Sequence, residues 1–237
     1  MRSSLLLSAT MIGACILCPG IARADGLLYQ LPEDRSWVRF DGQYTFKLDG
    51  MEKAVSGTGT MTMASVGKVR AGAEACRWIE FKVRLKDSGT EHTLIRKLLI
   101  PEKYLKKGEN ATEHVVRGWA KFNDEDVQRA VPVHGRWPAF LAGPLQDEKK
   151  LDQQLVESKL GALKCEGITG WIQYKEGDVH MKVTFETRLH DKAPFGVVSC
   201  RMQFEMKRDG KVLQTVDATL KLTDSGTDAK TALPDHK

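Results

Sequence analysis

After residue 24 the chain has no apolar run near the roughly 20 residues that a membrane-crossing helix needs, so nothing beyond that point reads as a helical span. It also lacks any block of like charge. Thirty-six Lys and Arg stand against 31 Asp and Glu, a formal charge of +5 that falls to +3 once Arg2 and Arg23 are set aside with the leader described below. A small charge spread this evenly gives no support to nucleic-acid binding. Catalytic signatures are missing as well. There is no Gly-x-Ser-x-Gly elbow, and His92, His114, His134, His180, His190 and His236 include no i,i+2 or i,i+4 pair that would aim two rings at one metal ion. "NDEDV", Asn123 to Val127, concentrates acids without the spacing and glycine of a calcium loop, and reads as a helix start. Neither Gly57 to Gly59 nor Gly167 to Gly170 opens a helix, so neither is a phosphate cradle. Neither an enzyme nor a cofactor is expected from these residues.

Cysteine is scarce. Beyond the leader only Cys76, Cys165 and Cys200 remain, an odd number that fits either one disulfide with a free thiol or three buried small hydrophobes.

What is present begins with the leader. "MRSSLLLSATMIGACILCPGIARA" has Arg2, an apolar run from Leu5, a Pro19-Gly20 break and a small-residue end at Ala24, the pattern of an export signal cut before Asp25. Ile12-Gly13-Ala14-Cys15 approximates a lipobox and supplies the competing reading, a lipoprotein acylated at Cys15. The first reading is preferred because the apolar run continues past Cys15. The expected location is therefore exported and periplasmic.

Strand patterns follow. In "SWVRFDGQYTFKL", Val38, Phe40, Tyr44, Phe46 and Leu48 share one parity, while Arg39, Asp41, Gln43, Thr45 and Lys47 take the other. "VSGTGTMTM" from Val55 carries Gly57 and Gly59 on the face of Met61 and Met63, where they would let a sheet bend or accept a close neighbour. "CRWIEFKVRL" alternates next, and "EHTLIRKLLI" stops at Pro101. Later, Val179 to Leu189 and Val198 to Met206 alternate again, and Asp209-Gly210 predicts a tight hairpin into "KVLQTVDATLKL".

Between these blocks the alternation lapses. "PEKYLKKGEN" predicts a short helix from Pro101, and "DEKKLDQQLVESKLGALK" a longer one, with Leu151, Leu155, Val156, Leu160 and Leu163 on one side. "VPVHGRWPAFLAGPL" reads as an ordered loop packed through Trp137 and Phe140. The expected fold is α+β, a curved, mostly antiparallel β-sheet (half-barrel) covered by a central helical insert over about 101–164. It forms a single domain over 25–223, followed by a loose tail at 224–237. Pro194 and Gly196 bracket Phe195 between two strands and predict either a fixed aromatic at the rim of the sheet or a plain core anchor in the connection.

The export signal, the strand count, the bendable Gly57–Gly59 strand, the insert between strand blocks and "LHDKAPFGVV" together resemble the LolA/LolB-like periplasmic lipoprotein carriers. The resemblance implies a half-barrel closed by helices around an apolar cavity for acyl chains. No arginine here aligns with the one that triggers lipoprotein release in that family, so only the apolar-ligand half-barrel carries over. "GLLYQLPEDRSWVRFDG" also resembles the start of secreted proteins of planctomycete-type bacteria, which implies no activity.

Methionine supports the same direction from the residues themselves. Met61, Met63, Met181, Met202 and Met206 share the inward parity of their strands, and flexible thioethers suit either a cavity for varied apolar shapes or a solid core. The expected cavity lining is Phe40, Phe46, Met61, Met63, Phe81, Met181, Phe185, Phe195, Met202 and Phe204. The expected ligand is a lipid or a lipoprotein acyl chain. The alternative is a cell-envelope interaction module that binds a protein or glycan through Trp119, Trp137 and Phe195.

Overall fold

The computed structural model describes residues 26–87, 89–105, 109, 111–129 and 144–233, so the leader, Cys15 and Trp137 lie outside the described residues. Among the described residues eleven strands form one antiparallel sheet: β1 (Trp37–Leu48), β2 (Val55–Ala71), β3 (Glu74–Asp87), β4 (Thr90–Pro101), β5 (Arg117–Phe122), β6 (Gln128–Arg129), β7 (Gln146–Ser158), β8 (Gly161–Glu176), β9 (Val179–Leu189), β10 (Val197–Arg208) and β11 (Lys211–Gly226). Their spatial order is β6-β5-β4-β3-β2-β1-β11-β10-β9-β8-β7. The first and last strands thus pair at the centre, while β6 and β7, neighbours in sequence, sit at opposite edges.

The alternation described above produces these strands directly. Phe40 faces Leu222 on β11 and Met61 on β2, so cross-strand partners put apolar side chains on one face and Arg39, Thr62 and Asp224 on the other. Asp209 and Gly210 adopt φ values of +50° and +77°, the left-handed pair that a two-residue hairpin turn requires. The sheet is not flat. β7 lies three strands from β10 in the hydrogen-bonded order, yet their Cα atoms approach within 8 Å, as do those of β7 and β11. Strands about 4.8 Å apart permit that only if this edge rolls over.

The structure overturns the helical insert. Within 101–164 the described residues contain only two 3-10 turns, Glu102–Tyr104 and Ala111–His114, with β5, β6, β7 and the start of β8. The segment expected as the main helix is the β7–β8 hairpin, in which Val156 pairs with Leu163. Among the described residues β7 is an edge strand bonded only to β8, and most of its residues are exposed, Leu155 at 64%. Such a strand needs no apolar alternation, and its charges discourage edge-to-edge pairing. Asn123 at φ +48° lies in the turn after β5 instead of starting a helix.

The core occupies one end of the apolar face. Leu27, Leu28 and Tyr29 pack there with Leu105, Ala111, Ala193 and Phe195 against Val38, Phe40, Met63, Ile79, Phe81, Leu98 and Leu222. Gln30 N–H donates to the Phe195 carbonyl at 3.2 Å, and the Gln30 side-chain amide donates to the Ala193 carbonyl at 2.7 Å. Gly196 has φ +80°, and a Cβ there would lie 2.8 Å from the Tyr29 ring. The Pro-Phe-Gly segment is thus a clasp for the N-terminal plug. Phe195 is fully buried beneath it, a core anchor in the connection and not an aromatic at the rim.

The tail expected to be loose is tied down for its described length. β11 runs to Gly226, Leu233 is buried, and its carbonyl accepts from Lys97 Nζ at 3.1 Å. Glu80 accepts from Thr231 Oγ1 and from the Ala232 and Leu233 amides. These bonds satisfy a buried Glu80 and Lys97 that face each other across β3 and β4.

Candidate functional site

The apolar face is divided along the strand direction. At the end where β1 begins and β2 finishes, the plug covers it. Toward the β1–β2 and β10–β11 turns it is left partly open: Tyr44, Phe46, Val83, Leu85, Met202, Phe204, Val216 and Leu220 all stay half-buried. These residues border a hollow of about 440 Å³, within the roughly 300–1,000 Å³ of small-molecule sites.

Register explains why space remains. Leu220, Gly42, Gly59 and Leu85 are successive partners across β11, β1, β2 and β3, and Ala218, Tyr44 and Gly57 form the next row. Residues without side chains therefore meet at the centre of the sheet. A Cβ on Gly42 would lie 2.3 Å from the Thr219 carbonyl oxygen and 2.7 Å from Leu220 Cδ2, and one on Gly59 would lie 2.9 Å from the Arg84 oxygen. These approaches leave glycine as the only residue that fits the curvature without displacing the next strand.

The walls are mostly apolar, with polar groups at the mouth. Tyr44 donates to Asp87 Oδ2 at 3.5 Å, and burial, with the nearby Asp87 charge, pushes the Tyr44 phenol above its ordinary value. His92 lines the hollow and stacks on Phe122 with ring centroids 6.1 Å apart, and its Nδ1 is buried without a partner among the described residues. On the far side, Tyr174 pairs with Met181 and likewise buries a hydroxyl with no partner among the described residues. Burial pushes its phenol well up.

Of the expected lining, Phe46, Met61, Met202 and Phe204 border the hollow. Phe40, Met63, Phe81, Phe185 and Phe195 lie in the plugged core, and Met181 is buried between Met206 and Tyr174. Sequence reasoning missed Val83, Leu85, Val216 and Leu220, whose parity was legible, and His92, whose parity with Leu94 and Leu98 was the available signal.

The rim aromatics of the alternative reading do not form a surface among the described residues. Phe195 is buried, and Trp119 packs beside Cys76, Trp78 and Leu99 on the opposite face. Among the described residues no disulfide forms and no group of three or more His, Cys, Asp or Glu is arranged to hold a metal ion. Cys76, Cys165 and Cys200 are buried, and burial pushes the Cys200 thiol up to about 12.

A larger hollow, about 1390 Å³, opens on the polar face between the sheet centre and residues Gln154 to Glu157 of β7. Its charges are interspersed and partly paired locally, Arg39 with Asp41 at 3.1 Å and Arg188 with Glu186 at 3.1 Å. That is the pattern of a solvated trough, and it converges on no single point. The smaller, apolar hollow is the candidate site.

No family model and no curated protein matches the chain. Among solved structures, an exported protein with a YmcC-like fold from Bacteroides fragilis is similar at 10% identity over 86% of this chain and 100% of that one, with a TM-score of 0.33. A DUF1329 family protein from Desulfovibrio piger is similar at 9% identity over 84% of this chain and 88% of that one, with a TM-score of 0.30. At this level of overlap the likeness assigns neither ligand nor activity to this chain.

Proposed function

We propose that this protein is an exported binding or carrier protein of the bacterial cell envelope that holds the acyl chain of a lipid or lipoprotein in the apolar hollow and passes it on to an envelope partner. The observation that carries the reading is the split of one apolar face into a plugged end and an open end floored by Gly42, Gly59 and Ala218. Burial of an acyl chain supplies about 0.8 kcal/mol per CH₂, so eight inserted methylenes supply roughly 6 kcal/mol before the costs of association. Half-buried Met202 and Met206 adapt to chains of different shape. The reading is one of binding without catalysis.

Native mass spectrometry of protein purified without detergent, together with titration of a fluorescent fatty acid, tests it. Co-purifying lipid or saturable probe binding is expected. Protein that is ligand-free and takes up no probe would overturn the proposal.

A further inference from the structure

Arg96 is the one cation that β4 places on the apolar face. It pairs with Phe81 on β3 and with Ala120 on β5, and its neighbours on the same face of β4 are Leu94 and Leu98. None of these four carries a charge. Its Nε is buried without a hydrogen-bond partner, and among the described residues Arg96 has no ion pair. Burial pushes its guanidinium below the ordinary arginine value. Arg96 is half-buried, and with its Nε kept from solvent and no acidic neighbour it is held at a cost that an adjacent anion would offset.

Its position relative to the hollow says where such an anion would come from. Val83 borders the hollow and Phe81 is the next residue on the same face of β3, so Arg96 stands one cross-strand row beyond the lining. One row is about 7 Å, which an arginine side chain spans. Four residues back on the same face of β4 is His92, whose unpartnered Nδ1 is the second unfilled polar position along that border. The lining of the hollow and Arg96 are thus separated by a single cross-strand row.

We propose that the ligand is an acidic amphiphile whose oxyanion head, a carboxylate or a phosphate ester, pairs with Arg96 while its chain fills the hollow. This rests on the acyl-binding reading above and narrows its ligand class. Guanidinium offers a planar set of donors that suits either head group.

The test compares palmitate, methyl palmitate and hexadecyl phosphate by displacement of a neutral fluorescent lipid, using wild-type protein, Arg96→Met and Arg96→Lys. Wild type is expected to bind palmitate at least tenfold more tightly than its methyl ester. Arg96→Met should lose that preference while keeping its affinity for the ester, and Arg96→Lys should keep most of the preference. Tighter binding of hexadecyl phosphate than of palmitate assigns a phosphate head, and the reverse order a carboxylate. Equal binding of acid and ester by wild type, or a preference that survives in Arg96→Met, overturns the acidic head group and leaves the acyl-binding reading standing. Binding of none of the three removes both. Should Arg96→Met fail to fold, Arg96→Gln, which removes the charge and keeps a polar head, takes its place with the same expected loss of preference.

Discussion

Gln30 and Ala193 are 163 positions apart in sequence and are joined by a 2.7 Å hydrogen bond from the Gln30 side-chain amide to the Ala193 carbonyl. The bond fastens the N-terminal plug to the loop between β9 and β10. Gln30→Ala leaves a buried carbonyl without this donor and is expected to destabilise the fold by about 1–2 kcal/mol. Denaturant midpoints would measure it, and an unchanged midpoint would show that the clasp contributes nothing.

Gly42 carries the curvature of the sheet. Gly42→Ala places a Cβ against the Thr219 oxygen and Leu220, which must move. The expected cost is about 1–3 kcal/mol, with weakened uptake of a fluorescent acyl probe. Unaltered stability and uptake would mean that the floor tolerates bulk.

Lining and core separate by substitution. Ala218→Phe projects into open space from a half-buried position, so stability should change by less than about 1 kcal/mol. Acyl-probe affinity should fall about tenfold or more. Phe185→Ala, in the plugged core, should instead cost about 3–5 kcal/mol and leave probe affinity in the folded protein near wild type. The opposite result for this pair would relocate the site.

Thiol chemistry gives a further check. With its thiol pushed up to about 12 by burial, Cys200 stays protonated at pH 8, with a thiolate fraction on the order of one in ten thousand. In protein lacking residues 1–24, Cys76, Cys165 and Cys200 should resist alkylation until denaturant is added, and a reducing agent should leave Tm unchanged. Rapid labelling of folded protein would contradict their burial.

The pH dependence has a definite sign at Asp217. Hydrogen bonds from Arg201, at 2.7 Å, and from Gln203 hold its carboxyl below the usual carboxylate range. Its stabilising contribution is therefore present above the unfolded-state value near 4 and is lost as pH falls through the lower folded-state value. Both partners are substantially exposed, so the contribution is a few tenths of a kcal/mol. The stability gap between wild type and Asp217→Asn, read from urea midpoints, should shrink as pH is lowered from 6 to 3. A gap that widens on acidification would contradict this.

Much of the sheet was legible in the residues. β1, β9, β10 and β11 bury mainly one face, and burial of one face of a strand imposes a two-residue period that can be read without a structure; β3 keeps that period although its other face is also covered at Trp78 and Glu80. β7 was illegible for the converse reason. Bonded only to β8 among the described residues and wetted along most of its length, it has no face to mark, and its Leu151 and Leu155 fall by chance at helical spacing with the buried Leu163 of β8. His92 and Arg96 were hidden because a polar side chain at the parity of Leu94 and Leu98 in "EHTLIRKLLI" does not itself mark which face of its strand is buried.

The chain's local pattern determined that there would be an antiparallel sheet with one greasy face, and that Gly57, Gly59 and Met61, Met63, Met181, Met202 and Met206 would lie on it. Which half of that face is sealed, and which stays open, was decided only by tertiary structure. Met61 and Met63, or Phe46 and Phe40, are alike as sequence. They differ in environment because a segment far away in the chain, Leu27 to Gln30, is clasped over one end and nothing in the described chain reaches the other. Side-chain periodicity is a local property, whereas occupancy of a cavity depends on distant residues brought together by folding.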